Sequence, residues 1–268
     1  MKNIKYLLLI GCTAIAFSCT PDYPELGEPL SPSDLKYTVT QDPSYDNKVF
    51  LSNESEGVVP YWDYGLGVSN HGKDTIIFPF FGDYWVKFTG FGRAGSLTDS
   101  TQIHITENDP SYFDSPAQWK LLTNGELGKT WIFDTTAPIG YYGKEFIAHT
   151  GSSDDWSYFP GDCPDWSGFG CGTPWGEMTF DLNGSYNYTV KQKSLTTDEY
   201  TITTGKFGYD IKNKAMSIIG APLLYSANYD AIATWSQAYV FEVSENVLYL
   251  GLTAKDGGHI RFKYIPKP

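Results

Sequence analysis

The residues best suited to chemistry lie close together in one aromatic stretch, residues 151–180. Trp156, Trp166 and Trp175 occur there among Gly, Pro, Ser and Asp. An aromatic ring packs against the apolar face of a pyranose, and carboxylates hydrogen-bond its hydroxyls, so this mixture of residues suits sugar binding. The alternative is that the rings form a small core beneath the loop.

Seven residues are the candidate glycan contacts. Four rings are expected to stack on a sugar, two carboxylates to hydrogen-bond its hydroxyls, and one further tryptophan in a second turn-rich stretch to join the surface. In that order they are Trp156, Tyr158, Trp166, Trp175, Asp155, Glu177 and Trp235.

The element that positions these residues is predicted to be a long loop. No helical or strand period runs through residues 152–174, and a strand follows near Met178. Loops longer than about 12–15 residues tend to be functional or disordered. Disordered segments are poor in aromatic residues, so we expect this loop to be ordered and functional.

The N-terminus indicates where the protein works. Residues 1–18 combine Lys2 and Lys5 with a short apolar run, which is typical of a signal peptide. The small residues before Cys19 resemble a bacterial lipoprotein signal, which implies that Cys19 is lipidated and anchors the protein to the outer membrane, exposed at the cell surface. An ordinary secretory signal is the alternative. Residues 19–33, rich in proline and acidic, are predicted to be an extended tether.

Two cysteines remain after the signal peptide and the lipidation site are set aside. Cys163 and Cys171 lie in the aromatic loop, and an even pair in an oxidising compartment predicts a disulfide. Neither a CxxC motif nor clustered histidine accompanies the pair, so we expect no metal there.

The charge and composition limit the partners. A net charge of −12 disfavours nucleic acid and an anionic membrane surface. Aromatic residues make up 16% of the chain, which favours a neutral ligand bound by rings. We expect a monomer that needs no cofactor and contacts the membrane only through its lipid anchor.

Residues 34–110 are predicted to form an antiparallel β-sandwich, because short β-branched or aromatic runs alternate with Gly, Asn, Asp and Ser. The segment Tyr-Trp-Asp-Tyr-Gly at 61–65 and the strand Gly-Asp-Tyr-Trp-Val-Lys-Phe-Thr at 82–89 resemble motifs of the PKD family, an immunoglobulin-like module. The resemblance implies a spacer domain with Trp62 in its core.

Residues 115–268 are also predicted to be all-β, with hairpin turns such as Asn183-Gly184 between short strands. No segment sustains a helical period beyond about one turn. A two-sheet, jelly-roll-like sandwich is the predicted fold. Its strand aromatics are expected in the core, namely Trp119, Trp131, Phe180, Tyr186, Tyr188, Phe207, Phe241 and Tyr249.

The run Trp-Lys-Leu-Leu-Thr-Asn-Gly-Glu-Leu-Gly-Lys-Thr-Trp at 119–131, together with Gly-Glu-Met-Thr-Phe-Asp-Leu at 176–182, resembles Bacteroidetes surface lipoproteins. These are similar in role to the SusE-type surface glycan-binding proteins. The resemblance implies a polysaccharide-binding lipoprotein that serves an outer-membrane importer, with β-glucans such as laminarin or mixed-linkage glucan as the favoured ligands.

A glycoside hydrolase or lyase is the alternative. Glu177 and Asp181 lie on one predicted strand, about 13 Å apart at the usual strand rise, too far for either glycosidase geometry. The family 16 β-glucanase pattern also requires a third acid, but Asn183 lies near the position where it would fall, so that match fails. The four histidines, His71, His104, His149 and His259, are scattered.

Two weaker possibilities also remain. The loop acids Asp154, Asp155, Asp162 and Asp165 could hold Ca²⁺, but they lack EF-hand spacing and are expected to be solvated. A structural or protein-interaction lipoprotein is the third functional option.

Overall fold

A computed structural model describes residues 27–147 and 150–268. Nineteen strands form most of the regular structure in these residues, which confirms the all-β prediction. The predicted signal peptide, Cys19 and His149 lie outside the described residues, as does most of the tether. No described helix is long and apolar enough to cross a membrane.

The chain divides into two compact units. The first comprises the described residues up to 40 together with 50–74 and 85–102, and the second comprises 41–49, 75–84 and 103–268. The predicted domain boundary near residue 110 stays a prediction.

The first seven strands form two sheets. A three-stranded sheet has the order β1 (Tyr37–Asp42), β2 (Tyr45–Asn53), β5 (Lys73–Ile77). A four-stranded sheet has the order β4 (Val68–Ser69), β3 (Val59–Asp63), β6 (Gly82–Gly92), β7 (Gly95–Ile105). A single 3-10 turn, Pro32–Asp34, precedes them at the end of the predicted tether.

Trp62 is the central core residue of the first unit. It is fully buried, and its ring centroid lies 4.4 Å from that of Phe88 and 5.8 Å from that of Tyr37. The indole N–H donates to the carbonyl of His71 at 3.0 Å, which satisfies the buried polar atom. The prediction that Trp62 is a core residue is confirmed.

The second unit is built around an eight-stranded barrel. Each strand pairs antiparallel with the next, and β19 pairs back with β8 through Tyr264 and Phe133, so the sheet closes on itself. The barrel strands are β8 (Lys129–Phe133), β13 (Gly176–Asp181), β14 (Asn187–Lys193), β15 (Tyr200–Asp210), β16 (Ala215–Ile219), β17 (Gln237–Val243), β18 (Leu248–Thr253) and β19 (His259–Pro266).

This closed sheet corrects the expectation of a jelly-roll sandwich. Consecutive strands are neighbours all the way round, which is up-and-down topology and not the Greek-key order of a jelly roll. The short hairpins between the strands favour this order. Alternating hydrophobicity marks an inner face equally well for a sandwich and for a barrel, so the pattern alone did not separate them.

The barrel interior is packed with side chains. Trp131, Phe180, Tyr188 and Phe207 are buried there, as predicted, whereas Tyr186, Phe241 and Tyr249 are only partly buried. We call the end with the hairpin turns 211–214 and 244–247 the hairpin end, and the opposite end, with the connection 220–236, the loop end.

Two short helices of four and six residues occur before the barrel. They are α1 (Pro110–Phe113) and α2 (Gln118–Thr123). Trp119 therefore lies on a helix and not on a strand, although it is buried as expected. The carbonyl of Leu122 accepts a hydrogen bond from the Trp131 indole at 3.0 Å, so α2 is fixed to the barrel core.

A long excursion separates β8 from β13 in the chain. It contains β9 (Ile139–Tyr142), β10 (Phe146–Ile147), β11 (Ser152–Ser153), β12 (Ser157–Tyr158) and a 3-10 turn, Asp165–Ser167. β9 pairs with both β19 and β12. The stretch 152–174 was predicted to contain no strands, but it carries two very short ones.

Candidate functional site

Three aromatic rings meet on the surface of the excursion, and we call Tyr141, Tyr158 and Trp166 the aromatic platform. Tyr141 and Tyr158 are register partners on β9 and β12. The Trp166 ring is stacked on both, with centroid distances of 5.9 Å and 6.1 Å. Trp166 is 64% exposed, so the tyrosines support it while much of its surface faces solvent.

The local sequence explains why Trp166 points outwards. Pro164 precedes the 3-10 turn that carries it, and Gly168 ends that turn with a φ of +66°, a conformation that glycine adopts without strain. Three residues after the tryptophan, the fully buried Phe169 ring packs edge-on against Phe133, with 4.9 Å between the ring centroids. The buried phenylalanine anchors the turn and leaves the tryptophan exposed.

The predicted disulfide between Cys163 and Cys171 is present, and it brackets this turn. It joins residues eight positions apart whose Cα atoms are 5.7 Å apart. A cross-link of this kind restricts the unfolded chain and, in the folded protein, limits how far the Trp166 segment can move. The platform is therefore preformed.

A cleft of about 360 Å³ adjoins the platform, and Tyr141 belongs to both. Trp156, which is 52% exposed, lines the cleft together with Lys255, Asp256 and His259. The cleft thus combines aromatic faces with donors and acceptors, which is the composition that small-molecule sites use for affinity and orientation.

Asp155 supports Trp156. Its carboxylate accepts hydrogen bonds from the backbone N–H groups of Lys144 at 2.8 Å and Trp156 at 2.9 Å, and from the Ser153 hydroxyl. The Ser153 bond, followed by the backbone bonds, lowers the pKa of Asp155. The acid predicted to hydrogen-bond a sugar is therefore already engaged in holding the loop.

Phe159 continues the aromatic surface beside the platform. The Arg261 guanidinium lies between the rings of Phe159 and Tyr249, 4.3 Å and 4.2 Å from their centroids. A Cβ at Gly140 would overlap the Phe159 ring, so glycine at that position lets the ring lie on β9. Cation–π contacts of this kind stabilise a partly exposed ring.

Trp175, predicted to stack on a sugar, and Trp235, predicted to join the surface, are core residues, which corrects that part of the prediction. Trp175 is 6% exposed and lies against Gly170. Trp235 is 5% exposed, with its ring stacked on Tyr229 and 5.3 Å from Phe262. Neither ring offers a free face for a ligand, because each is covered by neighbouring side chains or backbone.

Glu177 lies on the barrel strand β13, and its carboxylate pairs with the Lys267 ammonium at 2.5 Å. Asp181, the other acid of this strand, accepts hydrogen bonds from Asn183 and Asn187. These contacts commit both acids to structure, and neither residue lines the cleft beside the platform.

Sequence reasoning missed Tyr141. Burial raises its pKa, with a smaller contribution from Tyr158, so its hydroxyl stays protonated and can donate a hydrogen bond at neutral pH. The signal available in the sequence was the Tyr-Tyr pair just before Gly143, but this short segment lacks the alternation that marks a strand.

The exposed rings of the site lie around one segment of the chain. Three predicted contacts, Trp156, Tyr158 and Trp166, are exposed and lie around the same excursion. Groups of three or more metal-ligating side chains are not found among the residues that the structure describes. A comparison with known protein families finds none that matches the chain. A comparison with curated proteins finds no relative either.

Proposed function

We propose that the protein is a non-catalytic glycan-binding protein that holds a polysaccharide on the aromatic platform. The observation that carries this proposal is the exposed Trp166 ring, supported from below by Tyr141 and Tyr158. A supported, exposed indole offers a flat apolar face to a pyranose ring, and the preformed loop reduces the conformational entropy lost on binding.

The cleft beside the platform supports the same proposal. A sugar lying on Trp166 would be next to polar side chains. Lys255, Asp256 and His259 line the cleft, and Tyr141 belongs to both the cleft and the platform. The mixture of one cation, one carboxylate and one imidazole suits an uncharged ligand rich in hydroxyl groups, because the lysine and the aspartate carry opposite charges and all three side chains can form hydrogen bonds.

The biological setting is also part of the proposal and rests on the sequence resemblance. The protein acts as a lipid-anchored surface protein of the outer membrane, with residues 34–110 as a PKD-like spacer. It captures a β-glucan, such as laminarin or mixed-linkage glucan, for an outer-membrane importer. The net charge of −12 agrees with a neutral polysaccharide as ligand.

Affinity electrophoresis against a panel of polysaccharides tests the proposal. We expect retardation by a β-glucan, and Trp166→Ala should weaken binding by roughly 1–3 kcal/mol, about five- to 150-fold in affinity. Trp85→Ala is the matched control, because Trp85 is 54% exposed and lies in the other unit. Equal retardation of both variants would contradict the proposed site.

Product analysis in the same experiment addresses the hydrolase alternative. Released oligosaccharides would show catalysis and would overturn the non-catalytic assignment. Retardation without release supports it, and the absence of retardation by every polysaccharide would favour a structural or protein-interaction role.

A further inference from the structure

A second cavity lies at the hairpin end of the barrel, away from the aromatic platform. Its volume is about 750 Å³, which is within the range of roughly 300–1,000 Å³ for small-molecule sites. Three neighbouring strands, β15, β16 and β17, form one wall, and rings from α1, α2 and the turn before β14 form the rest.

The strand register places this wall on the inner face of the sheet. Tyr209, Met216 and Ala238 are register neighbours across the three strands. The residues two positions away, such as Phe207 and Val240, belong to the buried barrel core. Because side chains alternate along a strand, all five lie on the same inward face. The small Ala238 side chain leaves room above the core.

The opposite wall is aromatic and fixed in position. The Trp119 ring lies 5.5 Å from Tyr186, 5.9 Å from Tyr209 and 6.3 Å from Tyr112, measured between centroids. Trp119 is only 5% exposed, so its position is set by these neighbours. A ligand entering the cavity would meet rings that need little rearrangement, which favours binding.

The polar groups of the cavity indicate the charge of its ligand. The Asp210 carboxylate accepts hydrogen bonds from the backbone N–H and side-chain amide of Asn213, at 3.0 Å and 2.7 Å. Among the described residues that line the cavity, none is a lysine or arginine. An anion would face the Asp210 carboxylate, whereas an uncharged molecule does not meet this cost.

We propose that this cavity binds one small, uncharged, mainly apolar molecule that carries an aromatic ring. The rings of Trp119, Tyr186 and Tyr209 supply offset or edge-on contacts to it. Asp210 and Asn213 satisfy one another, and Ser217 and Gln237, which also line the cavity, can supply the few hydrogen bonds that such a molecule makes. The inference is independent of glycan binding at the aromatic platform.

Titration of the full chain with N-phenyl-1-naphthylamine, an uncharged aromatic fluorophore, tests the proposal. We expect saturable fluorescence enhancement with one site per chain and a Kd on the order of 1–100 µM, from the usual binding energy per ligand atom. Ala238→Phe fills the cavity and should raise the Kd at least about tenfold. Ala233→Phe, at an exposed alanine near the loop end, should leave the Kd unchanged.

Thermal unfolding separates a filled cavity from a damaged fold. If Ala238→Phe lowers the Tm strongly, Asn213→Trp replaces it as the test, because this residue lies in an exposed turn at the rim. Weaker probe binding by either folded variant supports the proposal. The proposal would be overturned if the unmodified chain shows no saturable binding. It would also be overturned if the folded Ala238→Phe and Asn213→Trp variants both bind the probe with the Kd of the unmodified chain.

Discussion

The ion pair between Asp134 and Lys263 fixes the point at which the chain leaves the barrel strand β8 and continues towards Tyr141. The ammonium lies 2.7 Å from one carboxylate oxygen, and Thr136 donates its N–H and its hydroxyl to the other oxygen, at 3.0 Å and 2.6 Å. Asp134 is 8% exposed, so solvent screens the pair only weakly. Asp134→Asn removes the charge while keeping the side chain's size.

The structure gives the expected size of the effect. Burial raises the pKa of Asp134, but the hydrogen bonds from Lys263 and Thr136 outweigh it, and the pKa falls from 3.8 to about 2. Each pKa unit corresponds to about 1.4 kcal/mol, so the ionised carboxylate contributes about 2 kcal/mol to the free energy of unfolding. Because the folded pKa is lowered, this contribution is present above pH 3.8 and is lost as the pH falls towards 2.

Urea denaturation followed by tryptophan fluorescence measures this contribution. We expect Asp134→Asn to lower the free energy of unfolding by about 2 kcal/mol near neutral pH, and we expect the difference to shrink below about pH 4. Asp162→Asn, at an exposed loop residue, is the control and should be close to neutral at every pH. A difference that is absent at neutral pH, or that stays constant down to pH 3, would show that the ionised Asp134 carboxylate does not stabilise the fold.

Three further predictions concern the excursion that carries the site. Trp175→Ala should lower the free energy of unfolding by about 3–5 kcal/mol in urea denaturation, as a buried ring does; a loss below about 1 kcal/mol would contradict its assignment to the core. Replacing Cys163 and Cys171 by serine should cost about 2–3 kcal/mol for a loop of this length and weaken glycan affinity in calorimetry, and unchanged affinity would show that the platform does not depend on the cross-link. Gly143→Ala places a Cβ where the Asp155 carboxylate lies. We therefore expect weaker glycan binding with little change in Tm, whereas unchanged affinity would show that Asp155 does not position the site.

The strands of the barrel were predictable because their inner faces alternate. In β14, for example, Tyr188, Val190 and Gln192 are buried and the residues between them are more exposed. β9 was missed because it pairs on both sides, with β19 and β12, and three of its four residues are buried, so it has no alternation to detect. Closure of the barrel depends on the pairing of β8 with β19, which joins residues more than 130 positions apart.

The candidate site was predictable only in part, for a similar reason. Trp166 and Trp175 lie in the same glycine-rich segment, and the local sequence does not distinguish an exposed tryptophan from a buried one. Their burial differs because Trp166 lies on a turn directed away from the core, whereas Trp175 directly precedes the barrel strand β13. Their burial depends on tertiary contacts, which the local sequence pattern does not reveal.

Hydroxyl-radical footprinting of the protein with and without a bound β-glucan tests whether the aromatic platform binds the glycan, and it needs no substitution. Exposed side chains are modified, and a ligand protects those that it covers. We expect protection of Trp166, Tyr158 and Trp156 and unchanged modification of Trp85, all of which are exposed in the structure. Glycan binding that leaves Trp166 fully reactive would contradict the assignment of the aromatic platform as the binding site.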